Sequence, residues 1–492
     1  MFLKHFLPIL LLFCISCISP HGEHQPNVLF IAVDDLRPDI GVYGNSDVKT
    51  PHLDKFASTG CVFESHYVSV PTCGASRYSL LTGRLPRFRQ HLQNSAFEHF
   101  TVGQPEGELP ESFIHHFRRN GYYTIGIGKI SHAPDGRIQN PLAPMETLLE
   151  LPHSWDELVF DSGKWGSAEN AFFGYANGTD REGENGQVKP YESGDVDDKG
   201  YVDGLTADLA VQKLREAKKL NKPFFMGVGF FKPHLPFNAP KKYWDLYERD
   251  QLPTSPVSDL PLNVSLASLQ KMGEFNRYKL GDEKATLEYP LSEAYARKLI
   301  QAYYAAISYV DAQIGKVLDE LERQGLAENT IVVVWGDHGW HLGDHRVWGK
   351  HTLFEVALRS PLMIRIPGVS PKRISKDWVV STVDLYPSLL EWCGLSADHL
   401  ELDGQSLAPL ITTNSVVNRE NMAFSFFNNG ITMRTSRYRL NRYFRDEEPV
   451  VELFDHLEDP HENRNVAQER PEIVDLLMPS WEKGDTGLYK PK

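Results

Sequence analysis

The sequence predicts an α/β sandwich with a large, mostly parallel sheet, followed by a C-terminal subdomain with a small antiparallel sheet. Four segments of the 492-residue chain are apolar throughout and end in a tight polar cluster, which is typical of strands buried on both faces of a parallel sheet. Helical periodicity lies between these segments, and alternating strands and helices produce a layered α/β domain. With 41% hydrophobic and 24% charged residues, the chain is long enough and apolar enough to bury a large core.

The four apolar runs each end at residues that could carry chemistry. The runs span residues 27–33, 122–127, 224–231 and 330–335. In the same order, they lead into Asp34-Asp35, Gly128-Lys129 with His132 nearby, Lys232-Pro-His234 and Gly336-Asp-His-Gly339. Parallel strands place their carboxyl ends on one edge of the sheet, and ligands in such sheets bind outside that edge. We therefore expect the four clusters to converge in space.

Helices and loops are expected between the strands. Residues 294–324 predict a long helix, because apolar residues recur at helical spacing and Gly325 supplies a stop. A second helix is predicted over residues 380–390, at the end of the large domain. Residues 140–201 and 253–263 show no clear period and predict surface loops.

The pattern changes after Leu410, where shorter runs begin. Residues 430–434 and 438–444 predict strands of an antiparallel subdomain. We place the domain boundaries at 26–412 for the large domain, which would carry the site, and 413–492 for the C-terminal subdomain.

The N-terminal segment predicts export. Lys4 precedes an apolar run over residues 6–18 that is too short to span a bilayer but suits a secretory signal, here residues 1–19. Ile15-Ser16-Cys17 resembles a bacterial lipobox, although Cys14 fits the first position of that motif poorly. A lipid anchor at Cys17 and an unlipidated mature end are therefore both open. The expected location is the periplasm or the cell surface of a bacterium.

Charge argues against a nucleic-acid partner, and cysteine content argues against a fold built on disulfides. The 51 basic and 65 acidic side chains give a net charge of −14, so we expect no nucleic-acid partner, because general nucleic-acid binders are more often basic. An anionic ligand would need a local concentration of Lys, Arg and His. Beyond the signal region and Cys17, the cysteines are Cys61, Cys73 and Cys393, too few for a disulfide framework in an exported chain of this size.

Acids at the ends of the first and last apolar runs predict a metal site. Three carboxylates and an imidazole stand on one predicted edge, from Asp34, Asp35, Asp337 and His338. Carboxylates this close repel one another unless a cation lies among them, and oxygen-rich donor sets favour Ca²⁺ or Mg²⁺ over zinc. The alternative is a solvated acidic loop edge, since an aspartate at a strand end is often a helix N-cap.

Cys73 stands in an unusual setting for a cysteine. Its neighbours are small or polar, and Arg77 follows four positions later. Residues 75–81 can form the first turns of a helix, which would place Cys73 at a helix N-terminus, where anionic species are stabilised. These residues alone favour a thiolate nucleophile over the more usual small, buried cysteine.

The segment that begins at Cys73 resembles a family signature. Cys73-Gly-Ala-Ser-Arg77, followed by Leu81-Thr-Gly-Arg84, is similar to that of the type I, formylglycine-dependent sulfatases, which have an alkaline-phosphatase-like fold. The strand-end clusters follow in the order of that family, so the resemblance covers essentially the whole mature chain. Similarity to the iduronate-2-sulfatase-like branch comes from residues 232–237, 337–344 and 452–455.

The resemblance replaces the thiolate with another nucleophile. In the family, a maturation enzyme oxidises the cysteine at the position of Cys73 to Cα-formylglycine (3-oxoalanine), whose hydrate attacks sulfur and later releases sulfate as the aldehyde re-forms. Ala75 stands where proline is more frequent, which leaves the maturation system open. With residue 73, the implied ligands of one calcium ion are Asp34, Asp35, Asp337 and His338, although imidazole is an uncommon calcium ligand.

The resemblance also implies roles for the remaining polar residues. Arg77 resembles the residue that holds the formylglycine hydrate and the metal carboxylates. Lys129 and Lys350 resemble the clamps for the sulfate group, where developing charge needs fixed cations. His132 resembles the base that promotes sulfate elimination, and His234 the acid that protonates the leaving oxygen.

The expected function is hydrolysis of a sulfate monoester on a sulfated polysaccharide or its oligosaccharides, such as 2-sulfated iduronate in a glycosaminoglycan or an ulvan sugar. One alternative is a phosphomonoester or phosphodiester hydrolase of the alkaline phosphatase superfamily. Such enzymes use Ser or Thr and usually two zinc ions, which Cys73 and the oxygen-rich donors oppose. The other alternative is a non-catalytic surface glycan-binding lipoprotein, which would need no formylglycine precursor.

Overall fold

The computed structural model describes residues 25–108, 110–139, 147–412 and 417–489. The predicted signal segment, with the candidate lipid anchor Cys17, lies outside these residues. Within the described part, no helix is both long and apolar enough to cross a membrane. Cys61, Cys73 and Cys393 are buried free thiols, which confirms that the fold does not rest on disulfides among them.

Strands and helices alternate over most of the chain. The strands are β1 Asn27–Val33, β2 Cys61–Tyr67, β3 Tyr123–Gly128, β4 Arg137–Gln139, β5 Thr147–Leu149, β6 Glu157–Val159, β7 Tyr191–Gly194, β8 Phe224–Phe230, β9 Phe237–Pro240, β10 Thr330–Gly336, β11 His341–Leu342, β12 Trp348–Gly349, β13 Leu362–Arg365, β14 Lys372–Ser381, β15 Ala423–Phe427, β16 Gly430–Arg434, β17 Tyr438–Tyr443 and β18 Val450–Asp455. The α-helices are α1 Pro51–Ala57, α2 Cys73–Thr82, α3 Ala96–Phe100, α4 Phe113–Arg119, α5 Ala168–Phe172, α6 Val202–Ala217, α7 Lys241–Trp244, α8 Glu293–Arg323, α9 Glu355–Leu358, α10 Leu385–Trp392, α11 Ala408–Thr412 and α12 Pro471–Glu482.

An eight-stranded sheet has the order β14-β2-β13-β10-β1-β8-β3-β6. Strand β13 pairs antiparallel with both of its neighbours, and the other pairings of this sheet are parallel, as predicted. Val33 at the end of β1 faces both Gly336 of β10 and Phe230 of β8. Gly128 of β3 faces Gly229 of β8. The four predicted strands therefore end level, and the residues that follow them share one edge.

The sheet is buried on both faces, which explains why its strands are apolar throughout. Leu29 and Ile31 pack in the layer that contains α6 and α8, whereas Val28 and Phe30 pack in the layer that contains α2, α4 and α10. Each such side chain contributes about 1.5–3 kcal/mol through burial. Truncation of Phe30, which packs against Phe113 and Trp335, would cost about 3–5 kcal/mol.

Helix α8 follows its sequence prediction within one residue at each end. Ser292 caps its N-terminus by accepting a hydrogen bond from the backbone N–H of Tyr295. The helix ends before Gly325, whose φ of 63° suits glycine and stops the helix. The apolar face of α8, which includes Leu299 and Tyr303, is buried against the sheet.

Two sequence predictions were wrong in detail. The helix predicted over residues 380–390 begins only at Leu385, because Val380 still pairs with β2 and the following turn is fixed by a capping box between Ser381 and Asp384. Residues 140–201 are not only loops. Their described part includes β6, an edge strand of the large sheet that is too short to show a sequence period.

The C-terminal strands β15 to β18 form a four-stranded antiparallel sheet, and the predictions for residues 430–434 and 438–444 are confirmed. Asn428 and Asn429 both have positive φ, at 49° and 58°, in the tight turn that joins β15 to β16. Helix α12 covers this sheet through Trp481. Ser425 Oγ donates to the carbonyl of Val68 at 2.6 Å, which joins the sheet to the large domain.

Candidate active site

The ends of β1 and β10 bring the predicted acids together. Asp34 and Asp35 follow β1, Asp337 follows β10, and all three are fully buried. Asp35 has a φ of 59°, a left-handed conformation that is uncommon for residues other than glycine. Its backbone N–H donates to Asp337 Oδ1 at 2.9 Å. The chain therefore holds Asp35 in a strained conformation at the point where the two strand ends meet, as often occurs at functional sites.

Four of the five predicted metal ligands form one cluster. Asp34, Asp35, Cys73 and His338 are buried, and each offers a ligand atom that lies within 4.8 Å of the others. Asp337 borders this group, with Oδ1 3.7 Å from His338 Nε2. The structure thus brings all five predicted residues to one place, with Asp337 at the margin.

The orientation of His338 suits a metal ligand. Its Nδ1 donates to the carbonyl of Gly339 at 3.0 Å, so Nε2 is the ring nitrogen that faces the cluster. Nε2 lies 3.3 Å from Asp35 Oδ1 and 3.2 Å from Cys73 Sγ. Two acceptors that face each other at this distance need a cation or a proton between them. The residues therefore fit a divalent cation held by carboxylate oxygens and one imidazole.

The two adjacent aspartates differ in how well their charge is compensated. Burial opposes ionisation of Asp34, but Lys129, His234 and Arg77 outweigh it and hold the pKa of this carboxyl well below its usual range. Burial raises the pKa of Asp35 well above its ordinary value, although Lys350 and His338 oppose the shift. The positive charge near Asp35 is therefore too small to offset its burial, and a divalent cation in the cluster would supply the rest.

Arg77 joins three strand ends from its position on α2. Its Nε donates to Asp337 Oδ2 at 3.0 Å, and Nη2 donates to Asp34 Oδ1 at 3.3 Å. Nη1 donates to the backbone carbonyls of Lys129 and Ile130. The side chain is fully buried, so these partners replace the water that the guanidinium loses. The predicted contact of Arg77 with the metal carboxylates is present.

Cys73 is the first residue of α2, as the sequence predicts, but its thiol is not activated. Burial and the nearby carboxylate of Asp34 raise the pKa of Cys73 to about 12. These effects outweigh the cations of Lys129 and Lys350. The pKa of this thiol therefore favours its neutral form at neutral pH, which argues against the thiolate nucleophile considered from the residues alone.

The two predicted clamp lysines pair with different acids of the cluster. Lys129 Nζ donates to Asp34 Oδ2 at 2.6 Å and stands 4.4 Å from the centre of the Phe172 ring. Lys350 Nζ donates to Asp35 Oδ1 at 2.9 Å and lies 3.3 Å from Cys73 Sγ. Lys350 therefore contacts the side chain at position 73, and the charge of Lys129 also acts on it.

The two predicted histidines have different environments. His234 Nδ1 donates to the carbonyl of Leu235 at 2.6 Å, and burial and Lys350 lower its pKa to about 4. His132 has a buried Nδ1 that finds no hydrogen-bond partner among the described residues. Burial and Lys129 lower the pKa of His132 well below its ordinary value, so this ring is neutral at neutral pH.

Two residues that the sequence did not single out also reach the site. Glu274 Oε1 lies 3.0 Å from His234 Nε2, and Phe172 packs against the ring of the same histidine at 4.7 Å between ring centres. Glu274 belongs to the long connection between α7 and α8, and Phe172 to the region predicted as surface loop. Neither segment contains a motif, so the sequence held no signal for them beyond an acid and an aromatic residue in long loops.

Comparison with known sequences gives consistent matches over most of the chain. A family model described as "Sulfatase" matches residues 26–395, and one described as "N-sulphoglucosamine sulphohydrolase, C-terminal" matches residues 343–479. The chain is 29% identical to a sulfatase of Formosa agariphila over 483 residues, which cover 95% of this chain and 90% of that relative. It is 30% identical to iduronate 2-sulfatase of Mus musculus over 440 residues, which cover 80% and 76%. An ulvan-active sulfatase of Formosa agariphila is 28% identical over 473 residues, which cover 92% and 79%.

Solved structures share the fold. A chain crystallised with its substrate D-glucosamine-2-N,6-O-disulfate gives a TM-score of 0.70 at 20% identity and covers 94% of this chain and 97% of its own. The phosphonate monoester hydrolase of Agrobacterium radiobacter gives 0.72 at 21% identity, with coverage of 94% and 95%. These likenesses confirm the predicted architecture of a large, mostly parallel sheet with a small antiparallel sheet.

Proposed function

The chain belongs to the sulfatase family, in its iduronate-2-sulfatase-like branch, and is a sulfuric ester hydrolase; from this premise we propose that it removes sulfate from a sulfated polysaccharide or its oligosaccharides. In this proposal Cys73 is the precursor of formylglycine, and Asp34, Asp35, Asp337 and His338 hold one calcium ion. The observation that carries the proposal is the position of Cys73. Its side chain lies among metal ligands and the ammonium group of Lys350, yet its thiol is held neutral.

When present, the hydrated formylglycine would supply a hydroxyl nucleophile for sulfur, and the calcium ion would polarise that hydroxyl and a sulfate oxygen. Lys129 and Lys350 stabilise the negative charge that develops on the sulfate oxygens, because both ammonium groups are fixed and buried. Arg77 keeps Asp34 and Asp337 in place through its two buried ion pairs.

The two histidines move protons in opposite directions. His234 Nε2 lies 3.8 Å from Asp35 Oδ2, so it borders the cluster, and in this proposal a proton taken up at Nε2 passes to the oxygen of the departing alcohol. His132 is neutral at neutral pH and its Nδ1 has no partner among the described residues, so it can accept a proton at the step that releases sulfate.

The substrate we propose is a sulfated sugar of a glycosaminoglycan or of ulvan, with 2-sulfated iduronate as the first candidate. The names of the relatives, iduronate 2-sulfatase and ulvan-active sulfatase, support this class. We further propose export to the periplasm or surface of a bacterium, maturation by a formylglycine-generating enzyme, and a lipid anchor at Cys17 as one form of the mature N-terminus.

Sulfate release from a panel of defined sulfated oligosaccharides tests the proposal. An aryl sulfate and the matching aryl phosphate, assayed side by side, separate a sulfatase from a phosphoester hydrolase of the same fold. Release of sulfate from uronate-containing members would support the substrate class. Preference for the aryl phosphate would overturn the proposal in favour of phosphoester hydrolysis. Glycan binding without any release of sulfate would indicate a binding protein.

A further inference from the structure

Glu274 lies between two of the predicted catalytic side chains. Its Oε1 is 3.0 Å from His234 Nε2, and its Oε2 is 3.4 Å from Lys350 Nζ. The side chain is 19% exposed, although it comes from a long connecting segment at the surface of the large domain. Lys350 and His234 hold the pKa of Glu274 well below its usual range against the effect of burial, so the group is a carboxylate. No motif of the family resemblance includes this residue.

The contacts of His234 fix the orientation of both ring nitrogens. The carbonyl of Leu235 can only accept, so Nδ1 of His234 carries a hydrogen and donates it at 2.6 Å. The carboxylate of Glu274 also can only accept, so a proton taken up at Nε2 would be hydrogen-bonded to this oxygen. Phe172 packs against the ring at 4.7 Å between centres. The ring therefore has one nitrogen fixed by the backbone and the other aimed by Glu274.

Hydrogen bonds hold the segment that carries Glu274 on both of its sides. Toward the C-terminal sheet, Ser268 Oγ donates to Glu452 Oε1 at 2.7 Å, and the backbone N–H of Leu262 donates to the carbonyl of Asn463 at 2.7 Å. Toward the site, Gln270 Nε2 lies 3.0 Å from His351 Nδ1. These hydrogen bonds fix the segment, so the carboxylate of Glu274 does not lie on a free surface loop.

We propose that Glu274 is a positioning residue that aims Nε2 of His234 and aligns Lys350 for departure of the sugar oxygen. This inference rests on the proposed function. As the bond between sulfur and the sugar oxygen breaks, its electron pair stays on that oxygen. The oxygen then takes a proton that His234 has taken up from solvent at Nε2, and solvent supplies the next proton to Nε2.

The test is Glu274→Gln, which keeps the size of the side chain and removes its charge. With a sulfated oligosaccharide we expect kcat to fall by about tenfold to a hundredfold with little change in KM, because general acid catalysis is worth at least that much. With nitrophenyl sulfate, whose leaving group needs little protonation, the loss should be several times smaller. Glu288→Gln, at an exposed glutamate of the same segment, is the matched control and should behave as the native enzyme.

A double-mutant cycle with His234→Ala separates positioning from a merely structural role. If Glu274 acts through His234, the double variant should lose little beyond His234→Ala alone. Calcium affinity by calorimetry and the melting temperature should stay close to the native values in Glu274→Gln. Should that variant not fold, Glu274→Asp carries the same comparison.

Equal losses on both substrates, or losses that add in the double variant, would overturn the role of Glu274. A native enzyme that releases no sulfate from any substrate would instead refute the proposed function. The two failures are therefore distinguishable.

Discussion

The ammonium nitrogen of Lys350 lies 3.3 Å from Sγ of Cys73. Any group that replaces the thiol is therefore placed beside a fixed cation, and also beside His338 at 3.2 Å. A neutral thiol gains little from these neighbours, whereas an oxygen nucleophile that develops negative charge would gain much more. The surroundings of position 73 suit an oxygen function better than sulfur.

We predict a modified residue at position 73. Mass spectrometry of the peptide that contains it should show loss of the thiol and gain of an aldehyde in active enzyme. Cys73→Ala should abolish turnover and leave the fold intact, because one small side chain replaces another. Full activity of a protein in which Cys73 is wholly unmodified would contradict the formylglycine mechanism.

Removal of the metal should lower both activity and stability. Asp34 and Asp35 are buried next to each other, and without a cation part of their repulsion is uncompensated. Chelation should therefore abolish turnover and lower the melting temperature, and calcium should restore both better than zinc. An unchanged rate after verified metal removal would contradict the site.

His234→Ala should affect substrates according to their leaving groups. A sugar alkoxide needs a proton as it leaves and a nitrophenolate needs little, so kcat should fall about a hundredfold more for a sulfated sugar. Comparison of the two rates for one enzyme preparation measures this ratio. Equal losses on both substrates would mean that His234 is not the acid.

His132→Ala should slow both substrates alike, because release of sulfate from the enzyme is the same step for each. The buried, neutral ring of His132 is suited to accept a proton there. Sulfate should remain attached to the peptide that contains residue 73, which mass spectrometry would detect as added mass. A loss confined to the sulfated sugar would show that the two histidines are assigned in the wrong order.

Arg77→Ala should destabilise the fold strongly. Arg77, Asp34 and Asp337 are all fully buried, so loss of the guanidinium leaves Asp337 without its ion-pair partner and Asp34 with Lys129 alone, at a cost of about 3–5 kcal/mol. Arg373→Ala is the matched control, since its ion pair with Glu64 is half exposed and contributes about 0–1 kcal/mol. Denaturant titration of both variants gives the comparison, and similar small losses would contradict it.

His66 should make the protein less stable in mild acid. Burial lowers its pKa from 6.5 to about 4, and its ring nitrogens contact the carbonyl of Ser360 and Thr382 Oγ1. Between pH 6.5 and about pH 4, His66 is protonated in the unfolded chain but stays neutral in the folded protein. The free energy of unfolding therefore falls as the pH falls. The loss from this group should reach about 2 kcal/mol at pH 5. His66→Asn should flatten the slope between pH 6.5 and 5, whatever its effect on stability at pH 7, and an unchanged slope would rule the group out.

The sequence allowed the centre of the site to be predicted because its residues directly follow buried strands. Asp34, Lys129 and Asp337 stand one residue past β1, β3 and β10, and the register of the sheet brings them to one edge. The start of α10 was placed wrongly because Val380, Val383 and Tyr386 are spaced as on one helical face, although Val380 belongs to β14.

Other features depend on contacts that the sequence does not display. The pKa of Cys73 is set by burial and by Asp34, which approaches only in the folded chain, so the helix position alone was misleading. Glu274 reaches His234 from a segment without periodicity, and its position follows from anchors at Ser268 and Gln270. Such placement is a property of tertiary packing rather than of local pattern.

The anchoring of this segment to the C-terminal sheet has a consequence for how the enzyme can diversify. Glu452 is fully buried and accepts hydrogen bonds from both Ser268 and Asn441. A substitution in β17 or β18 can therefore shift the acid beside His234 while leaving every residue of the metal cluster untouched. Natural variants and engineered chimeras that exchange the last strands would therefore differ in turnover as well as in stability. A chain cut before these strands would lose the hydrogen bonds that hold the segment carrying Glu274.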